Sequence, residues 1–255
     1  MYDCMADTIR AEMEESILSG RLPAGARVNA DDYARRVGVS HIPVREALRA
    51  LQADGWIVHR RHQGAFVRSR DPAELSDLFE ARLHLEGDVA ELAAQRRTAA
   101  QLDELERVLE KQAGTDDPGE IARVNAEFHV HLATCSQNSV LTGYLRDLSK
   151  QARFYFMPAA ALRQSSSLDE HRSIVGAVRR RDGDLARALV RAHIVDTRDD
   201  AAHALTCASG AAIEVPTGPD FSALAEKKCR AGSYLVDLPA DTPPSGNLQP
   251  FHARA

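Results

Sequence analysis

The chain has 255 residues, of which 44% are hydrophobic and 5% aromatic, and its formal net charge is −5. This length and apolar content allow one or two domains with sizeable cores, and the abundance of Ala, Leu and Arg favours helices over sheets. No apolar run approaches a membrane span, and the N-terminus lacks the apolar region of a signal peptide. The four cysteines form no CxxC pair. We therefore expect a cytoplasmic protein with reduced thiols and no membrane partner.

The charge is unevenly distributed along the chain. Residues 1–70 carry 11 Lys and Arg against 9 Asp and Glu, whereas residues 71–205 carry 17 against 23. Of these two segments, only the first has a net positive charge, and the excess is small. Nucleic-acid binding by this segment would therefore depend on where its charges lie rather than on bulk charge.

The first 70 residues predict a winged helix-turn-helix. Apolar periodicity and turn residues place helices at 5–20, 31–37 and about 40–54. Two short β-type runs within 56–67 flank a basic segment that ends in Gly64, which is typical of a hairpin. The hairpin would be the wing, with Arg60, Arg61 and His62 near its tip to meet phosphate or the minor groove.

The third of these helices has the features of a DNA recognition helix. Ser40 stands where an N-cap is expected, and Pro43 follows in the first turn. Arg45 and Arg49 lie four residues apart on the outer face. The core face is formed by apolar residues at helical spacing: Val44, Ala47, Leu48 and Leu51. A short helix with a buried stripe and two outward arginines suits the major groove.

The remainder of the chain predicts a separate all-helical bundle followed by a tail. Asp71 and Pro72 mark the boundary, as an N-cap and a proline at the first helical position. We expect six helices, at about 72–97, 99–113, 119–136, 139–162, 167–181 and 184–205. The bundle is thus assigned residues 71–206. Repeated Pro and Gly predict a loosely ordered tail at 207–255, with one short helix near 221–228.

A series of motifs within the first 70 residues resembles the GntR family of bacterial transcription regulators. The matching pieces, in order, are Leu22 to Gly25, Val37 to Ser40, Pro43 to Leu48, Gly55 to Val58 and Gly64 to Val67. The resemblance implies that Ser40, His41, Arg45 and Arg49 face DNA together with the wing. His41 stands where the family usually has Arg, so we expect Arg45 and Arg49 to carry more of the recognition.

The bundle resembles the FCD domain of the FadR-type subfamily. The matching pieces are Glu80 to Glu86, Asn125 to His129, Glu170 to Ile174 and Arg191 to His193. The resemblance implies an effector-binding and dimerisation domain.

Three histidines in the bundle predict a metal site. On helical wheels, His129, His171 and His193 all face the bundle interior, each from a different helix, and Asn125 lies one turn before His129. Three imidazoles with an oxygen donor can hold zinc, nickel, manganese or iron. The family commonly has Asp at the first ligand, whereas Asn125 offers only a neutral carbonyl oxygen. A metal-free pocket in which the imidazoles bind an anion directly therefore remains an alternative.

Arg82 allows two interpretations. It precedes Glu86 by four residues, which suits an ion pair along one helix. The resemblance instead implies that Arg82 holds the carboxylate of an effector.

These features together predict a homodimeric regulator that binds a near-palindromic double-stranded operator under the control of a small organic acid. Two alternatives remain at this point. One is a metal-dependent hydrolase-like helical-bundle enzyme, since an open three-histidine site can activate water. The other is an effector-independent DNA-binding protein with a structural metal.

Overall fold

The computed structural model describes the backbone of residues 2–209 and the side chains of residues 5–207. Three helices and a three-stranded sheet form the N-terminal part, and six helices form the rest of the described chain. The predicted fold, a winged helix-turn-helix followed by an all-helical bundle, is confirmed. The tail prediction beyond residue 209, including the short helix expected at 221–228, falls outside the residues that the structure describes. Within the described residues, the last helix continues past residue 206, the expected end of the bundle, to Ser209.

The winged helix is built from α1 (Tyr2–Leu18), α2 (Ala30–Val37), α3 (His41–Ala53) and a small antiparallel sheet. Its strands are β1 (Arg27–Val28), β2 (Ile57–Arg60) and β3 (Gly64–Val67), in the order β1-β3-β2. The sequence did not predict β1, because a two-residue strand has no periodicity to detect. The core of this part includes Ile9, Met13, Ile17, Val44, Leu51 and Trp56.

Gly38 ends α2 in the left-handed conformation, at φ 72°, and so allows the tight turn into α3. Ser40 lies at the N-cap of α3 as predicted, but its side chain makes no capping hydrogen bond. A capping hydroxyl accepts from the second or third backbone N–H of a helix, and the third residue here is Pro43, which has none. The exposed Ser40 hydroxyl thus faces solvent.

The bundle consists of α4 (Pro72–Arg96), α5 (Ala99–Ala113), α6 (Pro118–Cys135), α7 (Ser139–Phe156), α8 (Ala160–Arg179) and α9 (Gly183–Ser209). Asp71 caps α4 as predicted, because its side chain accepts from the Ala73 backbone N–H. α4 and α9 pack along one another, α6 lies against α4, α5, α7 and α8, and α8 lies against α9. The helices that carry the three histidines are therefore neighbours around α4.

One predicted break in the bundle is wrong. The sequence placed the end of a helix before Ser165 to Ser167, but α8 runs through this segment. The chain turns earlier, in a 3-10 turn at Met157–Ala159. Pro158 disfavours continuation of α7, while Ser167 is fully buried and accepts a hydrogen bond from Asn125, so tertiary contacts keep the serine segment helical.

The winged helix contacts the bundle at the C-terminal end of α7. Trp56 packs edge-on against Phe154 with ring centroids 5.6 Å apart, and Arg70 donates to the Phe154 carbonyl at 2.7 Å. Tyr155 is buried between the parts, where its hydroxyl contacts Glu74 at 2.9 Å. A Cβ at Gly20 would collide with Met157, so the two surfaces are in close contact.

Candidate DNA interface and metal centre

The structure places the predicted DNA-binding residues of α3 on one exposed surface. Ser40, His41, Arg45 and Arg49 are all exposed, whereas Val44, Ala47, Leu48 and Leu51 are buried. The amphipathic pattern of the sequence thus orients the helix, with its core stripe against α1 and β2 and its arginines outward.

An acidic residue that the sequence did not single out lies on this surface. Asp31, in the first turn of α2, is 3.0 Å from His41 Nδ1 and 3.9 Å from an Arg45 nitrogen. Both partners are more than half exposed, so these contacts are weakened by solvent. The carboxylate nevertheless contacts both side chains and partly offsets the charge of Arg45.

The wing is a hairpin with its tip at residues 61–63. His62 adopts φ 61° and Gly64 φ 99°, and Arg61 Nε donates to His62 Nε2 at 3.2 Å. The structure therefore brings Arg61 and His62 together at the tip, as expected. Arg60 instead lies over the Phe66 ring, 4.4 Å from its centroid.

A cleft of about 440 Å³ separates the wing from α3. Its lining includes Arg45, Arg49 and Gly64, which the sequence predicted, and Arg27 and His59, which it did not. Arg27 was missed because only the pairing of β1 with β3 brings it beside Gly64. Three arginines and one carboxylate, Asp31, line the cleft, and this excess of cationic side chains suits a nucleic-acid backbone.

The bundle brings the three predicted histidines together. His129 on α6, His171 on α8 and His193 on α9 are each at most 1% exposed, and their ligand atoms lie within 4.8 Å of one another. His193 Nε2 is 3.2 Å from His129 Nε2 and 3.3 Å from His171 Nε2. Phe128 stacks on His171 with ring centroids 3.8 Å apart and fixes the plane of that imidazole.

Each histidine presents its other ring nitrogen to an oxygen. His171 Nδ1 lies 2.8 Å from Gln112 Oε1, and His193 Nδ1 lies 2.8 Å from Glu170 Oε2. His129 Nδ1 is 2.6 Å from Glu86 Oε2, an ion-pair distance at which the ring N–H is not well aligned with the oxygen. Because these oxygens accept hydrogen bonds and do not donate them, they favour Nδ1–H and direct the three Nε2 lone pairs at each other.

This donor set fits a divalent cation. Two imidazole nitrogens at roughly 2.0–2.1 Å from one tetrahedral zinc ion would lie about 3.3 Å apart, close to the two separations observed. Burial lowers the pKa of His129, against the opposing effect of Glu86, and lowers the pKa values of His171 and His193 well below the usual range. The imidazoles are therefore neutral near pH 7, the form that binds metal.

Asn125, the fourth predicted ligand, lies on α6 one turn before His129 and is buried. Its Nδ2 donates to Ser167 Oγ at 3.0 Å, which fixes the amide beside the buried face of α8.

Arg82 is 2% exposed and contacts Glu86 at 2.6 Å through Nε. The expected ion pair is thus present, but it is buried rather than exposed. Burial alone would raise the pKa of Glu86. The nearby charges of Arg82 and then His129 lower it by more, so the pKa of Glu86 lies well below its usual range. Among the described residues, no acceptor meets Arg82 Nη2, although its charge helps to lower the pKa of all three histidines. A buried guanidinium nitrogen in this position can still receive an anion.

Glu86 and Glu170 each link a buried arginine to one histidine of the cluster. Glu86 joins Arg82 to His129, and Glu170 joins Arg163 to His193, with Arg163 at 2.7 Å. Glu170 and Gln112 were not predicted from the sequence, and Glu86 was expected only as a partner of Arg82. The adjacency of Glu170 and His171 was a signal, but the carboxylate serves the histidine of another helix.

Comparison with known proteins places the chain in a family. Residues 5–67 match the model for bacterial regulatory proteins of the gntR family, and residues 77–196 match the FCD domain. The Nta operon transcriptional regulator of Aminobacter aminovorans is 33% identical over 172 residues, which cover 67% of this chain and 81% of that protein. The chain belongs to the GntR family.

Other known proteins are similar to this chain over most of their own length. LutR of Bacillus subtilis is 27% identical, with 72% of this chain and 94% of that protein covered. A protein of Escherichia coli K12 named for regulation of the L-lactate dehydrogenase operon is 28% identical, with 76% and 83% covered. McbR/YncC of E. coli shares the fold, with a TM-score of 0.64, 22% identity, and 75% of this chain and 94% of that chain covered.

Membership of the GntR family makes the chain a transcription regulator with an FCD domain, not an enzyme, so the hydrolase alternative is wrong. In the part of the chain that the structure covers, none of the helices combines the length and apolar character needed to cross a bilayer.

Proposed function

We propose that this GntR-family regulator binds its operator under the control of a divalent metal ion and a small carboxylate held in the FCD domain. The observation that carries the proposal is the convergence of three Nε2 atoms whose Nδ1 partners are all oxygens. Three buried lone pairs directed at each other are unfavourable unless a cation lies between them. His129, His171 and His193 would hold the metal, with Asn125 as a weaker oxygen ligand.

The carboxylate would bind beside the metal, where Arg82 offers its unpartnered Nη2. An effector carboxylate could then both complete the coordination of the ion and accept from the guanidinium. The name of the E. coli relative supports this ligand class, since lactate is a small carboxylate.

At the other end of the molecule, Arg45 and Arg49 would contact guanine or phosphate in the major groove. Ser40 and His41 would add contacts at the start of α3. Arg61, His62 and Gly64 of the wing would meet the adjacent backbone or minor groove. Arg27 would neutralise phosphate in the cleft, which His59 also lines. A homodimer would place two such heads on a near-palindromic operator.

The first experiment is a thermal-unfolding titration of chelator-treated full-length protein with Zn²⁺, Ni²⁺, Mn²⁺ and Fe²⁺. At least one metal should raise Tm by several degrees, because an ion that binds only the folded state stabilises it. His193→Ala should abolish this rise. His84→Ala removes an exposed histidine of α4 and should retain it. A wild type that gains no stability from any of the metals would contradict the metal site.

The second experiment adds L-lactate, citrate and related acids to the metal-loaded protein and measures its affinity for operator DNA by fluorescence anisotropy. An effective acid should change the affinity of the wild type but not of Arg82→Lys, which keeps the charge and loses the planar fork. Unchanged operator affinity with every acid would favour the effector-independent alternative. A carboxylate that stabilises metal-free protein would favour the anion pocket.

A further inference from the structure

Ile42 is an apolar residue in an unusual place. It lies in the first turn of α3 and is 61% exposed, although its neighbours Pro43 and Val44 are buried. A large apolar side chain in this position adds little to the core. It is also not part of a larger apolar surface on α3, since the exposed residues around it are polar or charged.

Ile42 shares the outer face of α3 with the two arginines. Arg45 follows it by three residues and Arg49 by seven, which are the spacings of one helical face. The Arg45 side chain is 65% exposed, and Arg49 is exposed as well. When the arginines contact base pairs, this spacing would place Ile42 at the neighbouring step, at the N-terminal end of the helix that enters the groove.

The chemistry of the side chain selects its target. Isoleucine has no hydrogen-bond donor or acceptor beyond its backbone, so it cannot pair with the polar edges of bases. Among the groups that the four base pairs expose in the major groove, only the C5-methyl of thymine is apolar. We infer that Ile42 determines specificity by packing against a thymine methyl group in each half-site, beside the bases contacted by Arg45 and Arg49. The inference rests on the DNA-binding role of α3.

The test uses duplexes selected from a random pool by the full-length protein. Each thymine of the half-site is replaced in turn by uracil, which removes the methyl group and leaves every hydrogen-bonding group in place. At one position per half-site, uracil should weaken binding by the wild type about 4-fold, or roughly 15-fold when both half-sites are changed, as expected for burial of one methyl group.

Three variants isolate Ile42. Ile42→Ala should bind the thymine and uracil duplexes equally. Val140→Ala, which truncates an equally exposed apolar residue on α7, should keep the wild-type ratio. Arg45→Ala should weaken binding to both duplexes and retain the preference for thymine. Thermal unfolding checks that Ile42→Ala remains folded.

Each outcome is decisive. Equal binding of thymine and uracil by the wild type at every position overturns the inference while leaving DNA binding intact. A thymine preference that persists in Ile42→Ala overturns it as well. Failure to select any duplex overturns both the inference and the DNA-binding role of α3.

Discussion

Arg153 of the bundle and Glu15 of the winged helix form a bidentate pair, with nitrogen–oxygen distances of 2.7 and 2.5 Å. The guanidinium side chain is 7% exposed and the carboxylate 42%. The pair joins α7 to α1 and lies near the Phe154 and Tyr155 contacts described above. It thus connects the DNA-binding part directly to the helix that leads into α8.

We predict that Arg153→Ala lowers the free energy of unfolding by about 1–2 kcal/mol, a value reduced for the exposure of Glu15. A double-mutant cycle with Glu15→Ala, measured by urea unfolding, should show most of this as coupling energy. Lys150→Ala removes the neighbouring pair with Glu14, whose cation is 38% exposed and makes no bidentate contact, and should cost less than about 1 kcal/mol. Additive effects of Arg153→Ala and Glu15→Ala would contradict a direct interaction.

Glu86→Gln should weaken metal binding by about 10- to 100-fold, because Glu86 orients His129 and supports its basicity. Isothermal titration with Zn²⁺ measures the change. Glu80→Gln, an exposed carboxylate on the same helix, is the matched control and should bind like the wild type. Unchanged affinity in Glu86→Gln would mean that His129 is held by packing alone.

The metal-free protein should lose stability as the pH falls below about 6.5, the ordinary histidine pKa. Burial lowers the pKa values of His129, His171 and His193 in the folded state, so the unfolded chain binds protons first. Below that pH, each histidine lowers the free energy of unfolding by up to about 1.4 kcal/mol per pH unit, until the pH reaches the pKa of that histidine in the folded state. Above about pH 6.5 both states are neutral and the effect vanishes.

Urea unfolding at several pH values between 7.5 and 5.5 tests this dependence while the carboxylates remain ionised. His171→Gln removes one of the three buried imidazoles and should make the slope shallower. A wild-type stability that rises as the pH falls across this range would show that the cluster is stabilised by protonation instead.

Asp31→Asn should raise the affinity for duplex DNA a few-fold at low salt. The substitution removes a negative charge beside His41 and Arg45 and frees both side chains for phosphate. The gain should shrink as the salt concentration rises, which anisotropy titrations at two salt concentrations would show. Asp77→Asn on α4 serves as the control for charge alone. Weaker binding by Asp31→Asn would indicate instead that Asp31 holds Arg45 in the orientation that contacts DNA.

The sequence predicted those parts of the site that local periodicity controls. The helical positions of His129, His171 and His193 placed all three inside, because a residue's direction on an amphipathic helix follows from its own neighbours. Their partners Gln112 and Glu170 escaped prediction, since each serves a histidine on another helix. The break expected at Ser165 failed for the same reason: the contacts that keep Ser167 in a helix come from α5 and α6.

The single tryptophan of the chain lies where the two parts meet. Trp56 is 4% exposed, its ring rests against Phe154 of α7, and the Arg68 guanidinium lies 5.9 Å from its centroid. Indole emission responds to solvent access and to nearby charge, and no second indole in the chain obscures it. The unmodified protein therefore carries its own optical probe: a ligand bound among the histidines that shifts the DNA-binding head would change the emission wavelength of Trp56, without any label.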